Sequence, residues 1–167
     1  PRSTLFPYTT LFRSELYNKI RDANIWPTFH LLAAVREQFS KQTKTTGTYA
    51  KVVMMTNMVG KAGMSLGSIY AAFKASIIGL TKGLAREFGR FANVNAVAMG
   101  PLSQKPLQGP KDRIKKSFMV TQTEMSNQDF TFDKIAPLAV FLASDDAIAI
   151  TGQTISVDGG LWLKLEQ

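Results

Sequence analysis

Apolar side chains recur along this chain with helical and then alternating spacing, and the spacing switches where glycine and proline punctuate it. Ile20, Leu31, Leu32, Val35 and Phe39 share one side of a helix predicted from near Glu15 to near Phe39. Pro27 has no N–H to offer the Ala23 carbonyl, so a kink near Asn24 is expected. The polar segment TKTTGT then reads as a loop leading to a short strand at Val52–Thr56. Gly60, Gly63 and Gly67 mark a turn into a second helix over Ile69–Phe88. Its core stripe is Ile69, Phe73, Ile77, Leu80, Leu84 and Phe88. A strand at Val94–Ala98 ends in Gly100-Pro101, and a polar, lysine-rich, partly helical stretch runs to about Gln128. A third helix near Asp133–Ala143 and a strand at Thr154–Val157 follow, closed by Asp158-Gly159-Gly160. Strands alternating with helices predict an α/β fold in which a parallel sheet of about three strands carries helices on both faces.

Composition narrows the function classes. One domain is expected from 167 residues, and no apolar run is long enough to span a bilayer. The absence of cysteine excludes disulfides and thiolate metal sites. His30, the single histidine, lies in an apolar helical stretch and reads as a packed or partly exposed side chain, so no metal site is expected. Pro1–Ser14, PRSTLFPYTTLFRS, reads as the translation of a common short-read sequencing adapter. As a signal peptide it would be broken by Pro7, Thr9, Thr10 and Arg13. Setting this artefact segment aside removes Arg2 and Arg13, taking the net charge from +8 to +6. The remaining excess is scattered apart from Lys111, Arg113, Lys115 and Lys116, so a solvated face is expected, with no nucleic acid or membrane as partner. Attraction to an acidic carrier protein or a phosphate-bearing substrate is the other reading of that charge.

Tyr70 and Lys74 carry the most telling chemistry. They stand four residues apart on the predicted second helix, so phenol and ammonium project from one face. A neighbouring positive charge favours the phenolate and lowers a tyrosine pKa, which makes the phenol a usable proton donor or acceptor near neutrality. The plainer reading is an exposed helical pair, and the surrounding residues decide between the two.

Five segments do so. DANIWPTF (Asp22–Phe29) resembles D-V-N-L-x-G-T-F, and KVVMMTNMVGKAG (Lys51–Gly63) resembles R-I-V-N-I-S-S-x-A-G-x-x-G. IYAAFKASIIGLTKGLARE is similar to A-Y-S-A-S-K-A-G-V-I-G-L-T-K-S-L-A-x-E, and NAVAMGPL to N-A-V-A-P-G-P-I. DKIAPLAVFLASDDAIAITGQTISVDGGL is nearly a consensus ending. In this order, Glu15–Leu161 resembles the C-terminal half of a short-chain dehydrogenase/reductase, of the compact single-domain branch that includes 3-oxoacyl-carrier-protein reductases. The fold so implied is the C-terminal half of a doubly wound, Rossmann-type domain, with 15–167 as a truncated family domain.

The resemblance implies an oxidoreductase that interconverts a carbonyl and an alcohol by hydride transfer with NAD or NADP. It gives Tyr70 the proton exchange with the substrate oxygen. Lys74 lowers the tyrosine pKa and bonds the nicotinamide ribose, and Asn24 positions a water in the proton relay. A simple kink-capping amide is the structural reading of Asn24. The serine that polarises the substrate stands thirteen residues before the tyrosine in the family, a position that Asn57 occupies here. Its amide N–H can still donate, but it cannot relay a proton. Thr56 has a hydroxyl that strand alternation turns the other way. On the cofactor side Met99 replaces a proline, Gly100 and Leu102 keep the pattern, and Gln104 stands where a threonine bonds the cofactor. Lys105–Phe132 match the substrate lid, where Phe118, Met119, Met125, Phe130 and Phe132 either line an apolar pocket or pack against the lid helix.

The family's glycine-rich phosphate loop has no match here. Gly60, Gly63 and Gly67 imitate its spacing, but the resemblance places them after a later strand. The chain alone is therefore expected to be inactive, and unstable or prone to aggregate at its unpaired sheet flank. The alternative function is a catalytically silent family member kept for binding or oligomer assembly, motivated by Asn57, Met99 and Gln104. The resemblance further implies a small-molecule substrate, a homo-oligomer of the intact parent paired through the two long helices, and a cytoplasmic location.

Overall fold

The computed structural model describes residues 13–65, 67–100 and 131–160. Where one kinked helix is expected, two occur: α1 (Ser14–Asn24) and α2 (Trp26–Thr46), meeting at Ile25 with φ −103° and ψ −45°. Pro27 lies in the first turn of α2, where its missing N–H has no intrahelical role in any case. The break thus falls beside Asn24, as the proline predicts. The end of α2 is a correction: it reaches Thr46, well beyond Phe39. Thr45 and Thr46 donate their hydroxyls to the Lys41 and Gln42 carbonyls at 2.9 Å each, so these polar side chains are satisfied on the helix itself. Gly47 then ends the helix in the left-handed region, φ 72°, with its N–H on the Thr43 carbonyl.

Strand β1 covers Ala50–Asn57 and β2 covers Ala92–Met99, both longer than predicted; β3 is Thr154–Val157, as predicted. Helices α4 (Ser68–Glu87) and α5 (Phe132–Leu142) fall within one residue of expectation. A four-residue helix α3 (Val59–Ala62) and a 3-10 turn at Asp145–Ala147 were not predicted. The sheet order is β1-β2-β3, all parallel, with Ala50 beside Ala92, Asn57 beside Met99, and Met99 beside Val157.

β2 is buried along its length up to Ala98, as a central parallel strand covered on both faces must be. On one face Val94 and Ala96 join Leu32, Met54, Ile77, Ala85 and Phe88 from β1, α2 and α4. On the other, Val97 packs with Ile135, Leu142 and Ala147 under α5. Two buried asparagines of β2 fasten the loop before β3. Asn95 donates to the Ile150 carbonyl at 2.7 Å and accepts from the Gln153 N–H at 3.1 Å; Asn93 donates to the Ile148 carbonyl at 2.8 Å. Lys51 in turn donates to Asn93 at 3.0 Å and lies 3.6 Å from Asp145. This network closes the end of the sheet opposite the Asn57 end.

Candidate active site

The C-terminal ends of β1 and β2 and the first turns of α4 converge on one region. This is where a parallel α/β sheet presents its ligands, because loops leave the strands there. Tyr70 and Lys74 are both half-buried on α4, and the Lys74 ammonium lies over the Tyr70 ring, 5.4 Å from its centroid. The i, i+4 spacing has done what it promised, but the charge sits over the ring face. An ammonium there is held by the ring quadrupole. Burial therefore dominates both groups: it raises the phenol above its ordinary pKa and lowers the amine below its own. The expected lowering of Tyr70 by Lys74 is not what this geometry produces.

Asn57 is the last residue of β1, beside Met99 at the end of β2. Its Oδ1 accepts the Val59 N–H at 3.0 Å, an Asx turn that starts α3. The carbonyl of the amide is thus committed, and its NH2 is what the side chain can offer a ligand. Thr56 is fully buried and faces α4, donating to the Lys74 carbonyl at 2.7 Å. Alternation had placed it away from Asn57, and this bond shows what it does there. Ser65 and Ser68 are exposed, in the turn before α4 and at its first residue.

Helix α3 fills the angle between the strand ends and α4. Met58 and Val59 are buried against Ala71, with Met64 and Tyr70 packed around them. Lys61 reaches across to β3, donating to the Thr154 carbonyl at 3.0 Å and the Ser156 hydroxyl at 2.8 Å. Gly60 faces α4 so closely that a Cβ would lie 2.6 Å from the Lys74 carbonyl carbon and 2.8 Å from the Ala75 nitrogen. In the sequence Thr56 is a hydroxyl turned away from the Asn57 side and Gly60 a turn marker; nothing there signals that both meet the Lys74 peptide.

Asn24 closes α1 and turns its side-chain N–H onto its own helix, donating to the Ile20 carbonyl at 2.8 Å. Its own backbone carbonyl accepts the Thr28 hydroxyl at 3.3 Å. That is the capping arrangement, and it leaves Oδ1 to accept from elsewhere. Helix α1 does pack on α4, through Tyr17 and Phe73, whose ring centroids are 5.2 Å apart. Gly100 donates to the Val157 carbonyl at 2.9 Å, and a Cβ there would be 2.9 Å from the Asp158 Cα. Leu102 and Gln104 lie outside the described residues, as do Phe118, Met119, Met125 and Phe130; Phe132 opens α5 and is exposed. His30 is exposed and rests edge-on to Trp26 at 4.4 Å. Among the described residues no three His, Asp or Glu converge as a metal site, and no helix is long and apolar enough to cross a membrane.

Residues 7–162 match a family model described as enoyl-(acyl carrier protein) reductase. The chain is 33% identical over 152 residues to the 3-oxoacyl-[acyl-carrier-protein] reductase FabG of Staphylococcus aureus, covering 90% of this chain and 59% of that protein. It is 31% identical over 152 residues to the Escherichia coli protein of the same name, with the same coverage. A solved 3-oxoacyl-[acyl-carrier protein] reductase with bound NAD from Brucella melitensis superposes with a TM-score of 0.74 at 25% identity, over 90% of this chain and 53% of that one. The chain thus spans about three-fifths of the length of the curated relatives it matches.

Proposed function

This chain belongs to the short-chain dehydrogenase/reductase family, and from that premise we propose that it carries the proton-transfer side of an NAD(P)-dependent carbonyl/alcohol oxidoreductase. The observation that carries the reading is the half-buried Tyr70–Lys74 pair beside the C-terminal strand ends. The donor set suits a nicotinamide nucleotide. Among the described residues Lys74 forms no ion pair, so its ammonium has N–H groups to give ribose hydroxyls, and the Tyr70 phenol lies beside it. Met99, Gly100, Leu102 and Gln104 are the further residues proposed to hold that cofactor, which when bound supplies or accepts a hydride.

The chain's own residues supply the proton. With its pKa raised by burial, Tyr70 keeps its proton at neutral pH and donates it to a substrate oxygen as negative charge develops there. That protonation state favours reduction of a carbonyl to an alcohol. The Asn57 NH2 donates a hydrogen bond to the same oxygen and holds it in place. Lys74 orients the phenol through its ring and, positively charged, offsets the charge left when the proton departs. Asn24, with Oδ1 uncommitted to α1, orients a water that restores the Tyr70 proton.

We assign the substrate to the 3-oxoacyl thioesters or related small ketones, on the identity to reductases of that name, and the domain to residues 15–167. A homo-oligomer paired through α1, α2 and α4 fits the exposed Trp26, Phe29 and Leu31. The test is hydride transfer, followed by nicotinamide absorbance, across ketones and 3-oxoacyl thioesters with each of NADH and NADPH. It is made in a polypeptide that also carries the amino-terminal part found in the relatives. Cofactor-dependent turnover is expected. Its absence across the panel would favour the silent, binding-only reading, which the committed carbonyl of Asn57 motivates.

A further inference from the structure

Gly60 does not owe its identity to backbone conformation. It lies inside α3, with no left-handed φ, so an alanine would suit its dihedral angles. What excludes a side chain is the backbone of α4: the three atoms nearest a Cβ all belong to the Lys74–Ala75 peptide, at 2.6 to 2.8 Å. The same peptide takes a second contact, the 2.7 Å bond from the fully buried Thr56 hydroxyl to the Lys74 carbonyl. Two residues flanking Asn57 therefore close on the one peptide that carries Lys74. Gly79 and Gly83, farther along α4, have nothing within 4 Å of a Cβ, so neither meets the kind of backbone approach that Gly60 makes.

We propose that Thr56 and Gly60 are positioning residues that clamp the Lys74–Ala75 peptide against the β1–α3 turn, fixing the Tyr70–Lys74 pair relative to the Asn57 side chain. Helix α3 can serve as a wedge because it is held at its start, toward β3 and toward α4. Asn57 starts it, Lys61 ties it to β3, and Met58 and Val59 pack against Ala71 and Tyr70. A side chain at 60 pushes the wedge from α4 at the turn where the ammonium leaves the helix. Loss of the Thr56 hydroxyl frees the same peptide from the strand.

The purpose assigned to the clamp rests on the carbonyl/alcohol reading, but its test reads geometry, so either can fail alone. In the chain as it stands, the Tyr70 ring and Lys74 side-chain carbons are titrated by NMR for the wild type and for Gly60→Ala, Thr56→Val and Thr56→Ser. Gly79→Ala, on the open face of α4, is the control. Gly60→Ala and Thr56→Val should move both midpoints toward those of free side chains, as water enters between α3 and α4. Exchange of the Ala75 amide should rise about tenfold. Thr56→Ser and Gly79→Ala should leave both midpoints in place. A folded Gly60→Ala with unmoved midpoints, or an equal shift in Gly79→Ala, would overturn the proposal. Should Gly60→Ala fail to fold, Thr56→Val decides, and unmoved midpoints there count against it. The carbonyl/alcohol reading fails on a different result, turnover indifferent to Tyr70.

Discussion

At Tyr70 two influences compete: burial, which penalises the phenolate, and the Lys74 ammonium, which favours it. Burial wins, because the charge lies over the ring, 5.4 Å from its centroid. The folded phenol ionises above the ordinary 10.0, whereas the unfolded chain ionises near it. Stability from this group is therefore complete below pH 10 and is lost as pH rises from there through the folded value. Urea unfolding of the wild type and Tyr70→Phe should give curves whose stability difference is flat below pH 10 and moves against the wild type above it. A constant difference across that range would mean the phenol is not shifted upward. At Asn57 the expected outcome concerns chemistry. In this chain joined to the relatives' amino-terminal part, Asn57→Ser should raise turnover by about tenfold, because a hydroxyl both donates and accepts where this amide only donates. A fall would show an amide adapted to its own substrate.

Among the elements, those with a long apolar period were legible. The stripe through α4 gave its limits to within a residue, and Pro27 marked the α1–α2 break. Helix α3 was not, since four residues have no period to read, and the end of α2 was not, since threonine hydroxyls bonding back to the helix look like a loop in sequence. The site divided the same way. The spacing of Tyr70 and Lys74 was readable, but not where the ammonium would rest, nor that Thr56 and Gly60 meet Lys74 across the fold. The β2–β3 connection offers a sharp test of element energetics. Asn95 is fully buried, and its truncation leaves the Gln153 N–H without its partner and the Ile150 carbonyl with only the long 3.4 Å bond from Asn93. Asn95→Ala should cost about 2–4 kcal/mol in chemical unfolding. A cost below about 0.5 kcal/mol would mean that water replaces the asparagine freely.

At the scale of the molecule, the sheet has a central strand buried on both faces and two edges. Among the described residues the outer edge of β1 pairs with no strand, and Met55, Phe29 and Leu31 are exposed on β1 and α2. Such an edge beside apolar surface is a template for pairing with another chain. The polypeptide of 167 residues should therefore self-associate in sedimentation, with the larger species growing as concentration rises. Addition in trans of the relatives' amino-terminal part should suppress it. A single monomeric species at all concentrations would show that the edge is covered within the chain.

The role proposed for the Tyr70 phenol is to deliver the proton that accompanies hydride transfer. It is measured by kcat for ketone reduction in this chain joined to the relatives' amino-terminal part and in its Tyr70→Phe variant, with cofactor binding followed separately. In Tyr70→Phe kcat should fall by about a hundredfold to ten-thousandfold while the cofactor still binds. Equal kcat in the two proteins would contradict it.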